Sequence, residues 1–181
     1  MEKNKIVFIL TVFNEEKTIE KVISDCKKFG DVFIINDCST DSTLEIIKNN
    51  NIKFLNNDKN LGYENSLFKC LYYALNNFNY DFFITLDGDG QFDKQVLKEA
   101  ITQINTNNEF MTGIRNTKNR KIEIIIEKIF YKLFKIYDPL CGLKVYSRNI
   151  LKISERKKLK GLLGMNIILF CLMHLVVVLI Q

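Results

Sequence analysis

Tryptophan is absent from the 181 residues, proline occurs once, at Pro139, and histidine once, at His174. Without tryptophan, and without aromatic and basic residues interleaved, the chain offers no stacking platform of the kind RNA or single-stranded DNA needs, and no nucleic-acid partner is expected. His174 lies in apolar sequence with no ligand-type neighbour and reads as a core or interface histidine. The cysteines, Cys26, Cys38, Cys70, Cys141 and Cys171, contain no Cys-x-x-Cys pair and read as small core residues with reduced thiols. No secretory signal opens the chain, so a cytoplasmic location is expected. Residues 11–17 contain no glycine, which removes a glycine-rich triphosphate loop after the first strand. Acidic residues also run out: beyond Asp138 only Glu155 remains.

What is present is the composition of a globular chain, 47% hydrophobic with a net charge of +5. The positive residues are dispersed until Lys152, Arg156, Lys157, Lys158 and Lys160 gather ahead of an apolar segment. That pairing suits an anionic membrane surface better than a nucleic acid.

Apolar runs and helical periodicity alternate. Residues 5–12 and 31–36 form β-rich runs, and between them Ile19, Val22, Ile23, Cys26 and Phe29 recur at helical spacing across residues 15–29. Capping residues at 37–43 introduce a helix to about residue 49. A short strand at 52–55, a polar loop at 56–62 and a helix marked by Leu67, Cys70, Leu71, Ala74 and Leu75 follow. A strand at 81–86, a helix at 94–104 and a strand at 109–112 continue the alternation. The predicted fold is α/β, a mostly parallel sheet with helices on both faces. Beyond it, residues 122–137 read as an amphipathic helix broken at Pro139, and residues 143–146 as a return to the sheet. With no repeat and no low-complexity linker, residues 1–181 read as a single domain. Its nucleotide-side half covers about 1–115 and its smaller acceptor-side half about 116–181.

Parallel sheets bind ligands beyond the carboxyl ends of their strands. There the polar clusters fall: Asn14-Glu15, Asp37, Asn60 to Gly62, and Asp87-Gly88-Asp89. An EF-hand beginning at Asp87 would need glycine and an acid where Phe92 and Lys98 stand, and a dinucleotide fingerprint would need glycine at Asp93. A metal loop or a plain turn remains. Two carboxylates on a loop, with Gln91 nearby, leave positions on a divalent ion open for phosphate oxygens.

Together these loops resemble the family 2 glycosyltransferases with the GT-A (Rossmann-like) fold, on the branch of dolichol-phosphate mannosyltransferase and the bacterial polyprenyl-phosphate sugar transferases. Residues 11–16, Thr-Val-Phe-Asn-Glu-Glu, resemble the opening Pro-x-Tyr-Asn-Glu-Glu motif, and residues 36–43 the Asp-Asp-Gly-Ser-x-Asp-Gly-Thr motif. Asn60-Leu61-Gly62 resembles the Asn-x-Gly turn, and Asp87-Gly88-Asp89-Gly90-Gln91 the Asp-x-Asp-x-Gln loop. Gly113-Ile114-Arg115 and residues 138–144 resemble the later Gly-Ser-Arg and Asp-x-x-x-Gly-Phe-Arg stretches. Thr11, Asn36 and Cys38 depart from the motifs, standing where the family has proline, aspartate and glycine.

By that resemblance Thr11, Phe13 and Glu15 line the nucleoside, and Ile35 and Asp37 border its base. Asp87, Gly88 and Asp89 meet the diphosphate through Mg²⁺ or Mn²⁺, with Asp87, Asp89 and Gln91 as metal ligands. Arg115, and after it Arg120, clamps phosphate oxygens, so Asp89, Arg115 and Asp138 are the expected catalytic residues. The implied donor is a UDP- or GDP-sugar. A sugar-hydroxyl acceptor would need a general base, whereas a phosphate acceptor is already anionic. The scarcity of acids after Asp138 therefore favours polyprenyl phosphate over a glycan acceptor, or else a sugar-nucleotide-binding remnant without activity. A nucleotidyltransferase is disfavoured by the missing glycine-rich loop.

The apolar stretch at 162–180 is open to two readings, a membrane-spanning helix or an internal helix followed by a strand. The location is accordingly expected to be cytoplasmic, peripheral on or C-terminally anchored to the cytoplasmic face of a membrane.

Overall fold

The computed structural model describes residues 5–90, 92, 94–104, 109–114, 121–134, 137–157 and 177–180. β1 (Ile6–Val12) is buried along its whole length, as expected of an unbroken apolar run inserted between two parallel neighbours. It pairs with β2 (Asp31–Asn36) on one side and β4 (Phe82–Asp87) on the other, both in parallel. β3 (Lys53–Asn56) extends the sheet from β2. On the far side β6 (Lys144–Ser147) is antiparallel to both β4 and β5 (Phe110–Gly113), and β7 (Val177–Ile180) runs parallel to β5. The described residues thus form a seven-stranded sheet in the order β3-β2-β1-β4-β6-β5-β7.

Period-two alternation sends the strand side chains to two separate cores. Val7, Ile9, Phe33, Ile35 and Phe83 pack with α3 (Tyr63–Asn77) and α6 (Arg148–Arg156). Phe8, Leu10, Ile34, Ile84 and Leu86 pack with α1 (Ile19–Cys26), α2 (Thr43–Asn49) and α4 (Lys94–Thr102). Helices therefore cover both faces. α5 (Lys121–Phe134) sends Phe130 against the α3 side while Ile124, Ile125 and Ile129 stay exposed.

Two differences from the sequence expectation have physical causes. α1 begins at Ile19 rather than near residue 15, because the Glu15 carbonyl accepts the N–H groups of Thr18 and Ile19 in a turn and Asn14 takes a positive φ of 57°. α2 receives no cap from its own Ser42 side chain; Glu16 accepts the Ser42 N–H at 3.1 Å and Asp41 the Thr43 N–H at 2.9 Å. In the tail, residues 177–180 are a strand, matching the second of the two readings, while residues 162–176 lie outside the described residues. No helix among the described residues is long and apolar enough to cross a membrane. Cys26, Cys70 and Cys141 are buried and form no disulfide, as expected of core thiols, whereas Cys38 is only half-buried, and burial pushes the Cys26 thiol up to about 12.

Candidate active site

The carboxyl ends of β1, β2 and β4 meet in one layer: Thr11 of β1 lies opposite Ile35 of β2 and Asp87 of β4. Alternation places Thr11, Ile35, Asp37 and Asp87 on the α3 side of the sheet. The Thr11 hydroxyl is buried there without a hydrogen-bond partner among the described residues, ready for a bound group. Just beyond it the Phe13 ring is 45% exposed, a flat surface at the lip of the crevice. Ile35 has no exposed surface and belongs to the core beneath, so its side chain supports the crevice floor from below.

The loops after β1 and β2 are clasped together. Asn14 N–H donates to Ser39 Oγ at 2.9 Å, Thr40 N–H returns to Asn14 Oδ1 at 2.8 Å, and Glu15 N–H donates to Thr43 Oγ1 at 2.8 Å. Glu16 N–H donates to Asp41 Oδ2 at 3.1 Å. Asn36, the departure from aspartate, uses what an amide adds: its Nδ2 donates to Asn56 Oδ1 at 2.6 Å while its Oδ1 accepts from Ser39 Oγ at 2.5 Å.

Asp37 is only 2% exposed. It accepts from Asn57 Nδ2 at 2.8 Å and from the N–H groups of Leu61 and Gly62 at 2.9 Å each, so it shapes the Asn60-Leu61-Gly62 turn. Burial raises the affinity of its carboxyl for a proton. Hydrogen bonds from Leu61, Asn57, Ser66 and Gly62 outweigh that and hold it below the usual carboxylate range.

Gly88 is required by contact: a Cβ there would meet Val12 Cγ1 at 2.7 Å. Its carbonyl accepts from Thr18 Oγ1 at 2.8 Å, and the same hydroxyl lies 3.0 Å from Glu15 Oε2, tying the loop after β4 to the loop after β1. Sequence reasoning missed Thr18 because nothing local marks a threonine one turn past a motif. The Glu15 carboxyl is shifted upward, first by burial and then, against the Thr18 hydrogen bond, by the negative charges of Asp89, Asp41 and Asp87. Like charges gathered this way are relieved by a cation.

Asp138, with a φ of 43° and 2% exposure, begins a loop whose Cys141 N–H returns to the Asp138 carbonyl at 3.1 Å. Thr85 Oγ1 on β4 donates to the Gly142 carbonyl at 2.8 Å, fastening this loop beside Asp87. Gln91, Arg115 and Arg120 lie outside the described residues; of the expected metal ligands, Asp87 and Asp89 are described. Among the described residues no group of three or more metal-binding side chains forms a cage. Carboxylates without soft ligands, gathered at a strand end, nonetheless suit a hard divalent ion completed by phosphate oxygens. A small pocket opens on the α1 and α4 side of this loop, lined by Cys26, Asp87, Phe92 and Leu97.

A mostly parallel sheet with acidic loops converging at its strand ends is an α/β architecture that places ligands beyond the carboxyl ends of its strands. The sequence model of glycosyl transferase family 2 matches residues 7–171, and the chain belongs to that family. An uncharacterized protein of Methanocaldococcus jannaschii is 27% identical over 168 residues, 81% of this chain and 73% of that protein. The poly-beta-1,6-N-acetyl-D-glucosamine synthase of Staphylococcus epidermidis is 29% identical over 132 residues, 68% of this chain; its Staphylococcus aureus counterpart is 33% identical over 101 residues, 51% of this chain. The chain spans 31% and 24% of those synthases, respectively. Among solved structures, glucosyl-3-phosphoglycerate synthase of Mycobacterium tuberculosis, in complex with Mn²⁺, UDP-glucose and phosphoglyceric acid, superposes with a TM-score of 0.74 at 16% identity. That match covers 97% of this chain and 69% of the other, and gives the GT-A fold. The chain is a glycosyltransferase domain of this fold.

Proposed function

We propose that this domain is a metal-dependent inverting glycosyltransferase that moves a sugar from a UDP- or GDP-sugar to a polyprenyl phosphate. The observation that carries the reading is the meeting of Thr11, Glu15, Asp37, Asp87 and Asp89 at the ends of three adjacent parallel strands. Residues 1–181 act as one domain, about 1–115 holding the donor and about 116–181 the acceptor.

Phe13 and Thr11 receive the nucleoside and Glu15 accepts from ribose hydroxyls. Asp37, whose oxygens already order the Asn60 to Gly62 turn, offers its remaining lone-pair capacity to a base N–H. Asp87 and Asp89, with Gln91, hold Mg²⁺ or Mn²⁺. When bound, that ion supplies a positive charge for the diphosphate as it departs. Arg115 adds a guanidinium to the same oxygens. An acceptor oxygen attacks the anomeric carbon from the face opposite the diphosphate. The bond from that carbon to the diphosphate oxygen breaks, and its electron pair leaves with the diphosphate.

The Staphylococcus relatives are named as synthases of a polysaccharide, which supports sugar transfer and keeps a glycan acceptor as the competing case. The acid supply favours phosphate. Glu155, the single acid after Asp138, accepts from Asn76 Nδ2 at 2.7 Å near the far end of α3. That shortage also supports a second reading, a sugar-nucleotide binder without turnover. Contact with an anionic membrane surface is supported by exposed Ile124, Ile125 and Ile129 beside Lys128 and Lys132 on α5, and by exposed Lys152, Arg156 and Lys157 around α6.

The test is incubation of labelled UDP- and GDP-sugars with Mn²⁺ and either polyprenyl phosphate or a glycan primer. Labelled lipid of inverted configuration is the expected product. A labelled glycan would correct the acceptor, and donor binding without product would establish the second reading.

A further inference from the structure

Asp87 is flanked from two directions by residues that no motif marks as ligands. Tyr63, the first residue of α3, is a neighbour of Asp87, whose negative charge adds to burial in pushing the phenol's pKa up. The residue before it in the chain, Gly62, donates its N–H to Asp37 Oδ2 at 2.9 Å, so one peptide step separates the 60–62 turn from the side chain beside Asp87. From the other side, a Cβ built on Gly142 would stand 2.3 Å from Asp87 Oδ2 and 2.7 Å from its Cγ. Gly142 does not have the positive φ of Gly62 and Gly90, so conformational freedom is not why glycine stands there. Only a hydrogen atom fits between the acceptor-side loop and the carboxylate.

We propose that Tyr63 and Gly142 are positioning residues that set the orientation of Asp87, and so couple the nucleoside turn and the acceptor-side loop to the affinity for the divalent ion. This rests on the sugar-nucleotide reading above. A ligand carboxylate set between a buried phenol on one side and a backbone wall on the other is preorganised, and partners of ligands typically change metal affinity about 10–100-fold when removed.

The experiment is a titration of Mn²⁺ into the full chain, followed by electron paramagnetic resonance, with saturating UDP or GDP. Wild type, Tyr63→Phe, Gly142→Ala and Asp89→Ala are compared, and nucleotide affinity in EDTA is measured beside them. Tyr63→Phe removes one oxygen and keeps the ring. It is expected to weaken Mn²⁺ binding by about tenfold while leaving metal-free nucleotide affinity unchanged, a combination that general loosening of the fold would not give. Gly142→Ala is expected to weaken it at least as much; should that variant fail to fold, Tyr63→Phe decides. Wild-type binding with Tyr63→Phe equal to it overturns the coupling alone. No Mn²⁺ binding by wild type with either nucleotide overturns the metal loop and the coupling together.

Discussion

The Asp37 carboxylate holds the backbone N–H of Gly62 at 2.9 Å, so a residue at the end of β2 fixes the entrance to α3. Its carboxyl is held below the usual range in the folded chain, the hydrogen bonds outweighing burial. Such a group stabilises the fold fully above the ordinary carboxylate pKa of about 3.9, and the contribution fades as pH falls through the lowered value. Asp37→Asn is therefore expected to cost about 1–3 kcal/mol near neutral pH. Urea unfolding should show the gap between variant and wild type closing below about pH 4.

Cys38 stands where the family carries glycine, and its φ is 65°, in the left-handed region. A side chain there costs about 1 kcal/mol. Cys38→Gly should raise the denaturation midpoint, the gain being smaller than that strain because glycine also loosens the unfolded chain. A lowered midpoint would mean that the Cys38 thiol, 3.7 Å from the Asp58 carbonyl, matters more than the backbone.

Glu15 is crowded by Asp89, Asp41 and Asp87. Glu15→Gln keeps an oxygen for the Thr18 hydroxyl and removes a like charge, so the free protein is expected to melt higher, most visibly at low salt. Nucleotide affinity should fall in the same variant, the usual opposition of stability and function at a charged site. Melting curves and a nucleotide titration on one preparation check both.

Thr85→Val should loosen the acceptor-side loop, because the Gly142 carbonyl loses its buried donor at 2.8 Å. The expected cost is about 1–2 kcal/mol. Hydrogen exchange at residues 140–143 should quicken more than at β1.

The donor half was legible because the runs of β1, β2 and β4 are buried on both faces and the loops that follow them are polar. β6 was readable only as a possible return to the sheet. Its antiparallel insertion between β4 and β5 depends on pairing with strands far away in sequence, and it opens on a buried lysine, Lys144, that no pattern assigns to a sheet. Asp37 was legible as a site residue by resemblance, but its grip on the turn was not, since Asn57 and Ser66 act from β3's end and from α3. Thr18 and Tyr63 were hidden for the same reason, since an isolated threonine or tyrosine carries no local mark of a contact across the fold; Gly142 was legible as the glycine of the Asp-x-x-x-Gly-Phe-Arg stretch, but its contact with Asp87 was not.

Asp87 and Asp89 are proposed to present a divalent ion to a nucleotide diphosphate held beside Glu15 and Asp37. Titrating UDP and GDP into wild type and Asp89→Ala, each with Mn²⁺ and with EDTA, tests it most directly. One of the two nucleotides is expected to bind wild type more tightly with Mn²⁺, and Asp89→Ala is expected to abolish the metal-dependent gain while keeping the weaker metal-free binding. Equal affinity in Mn²⁺ and EDTA, or a full gain surviving in Asp89→Ala, would contradict it.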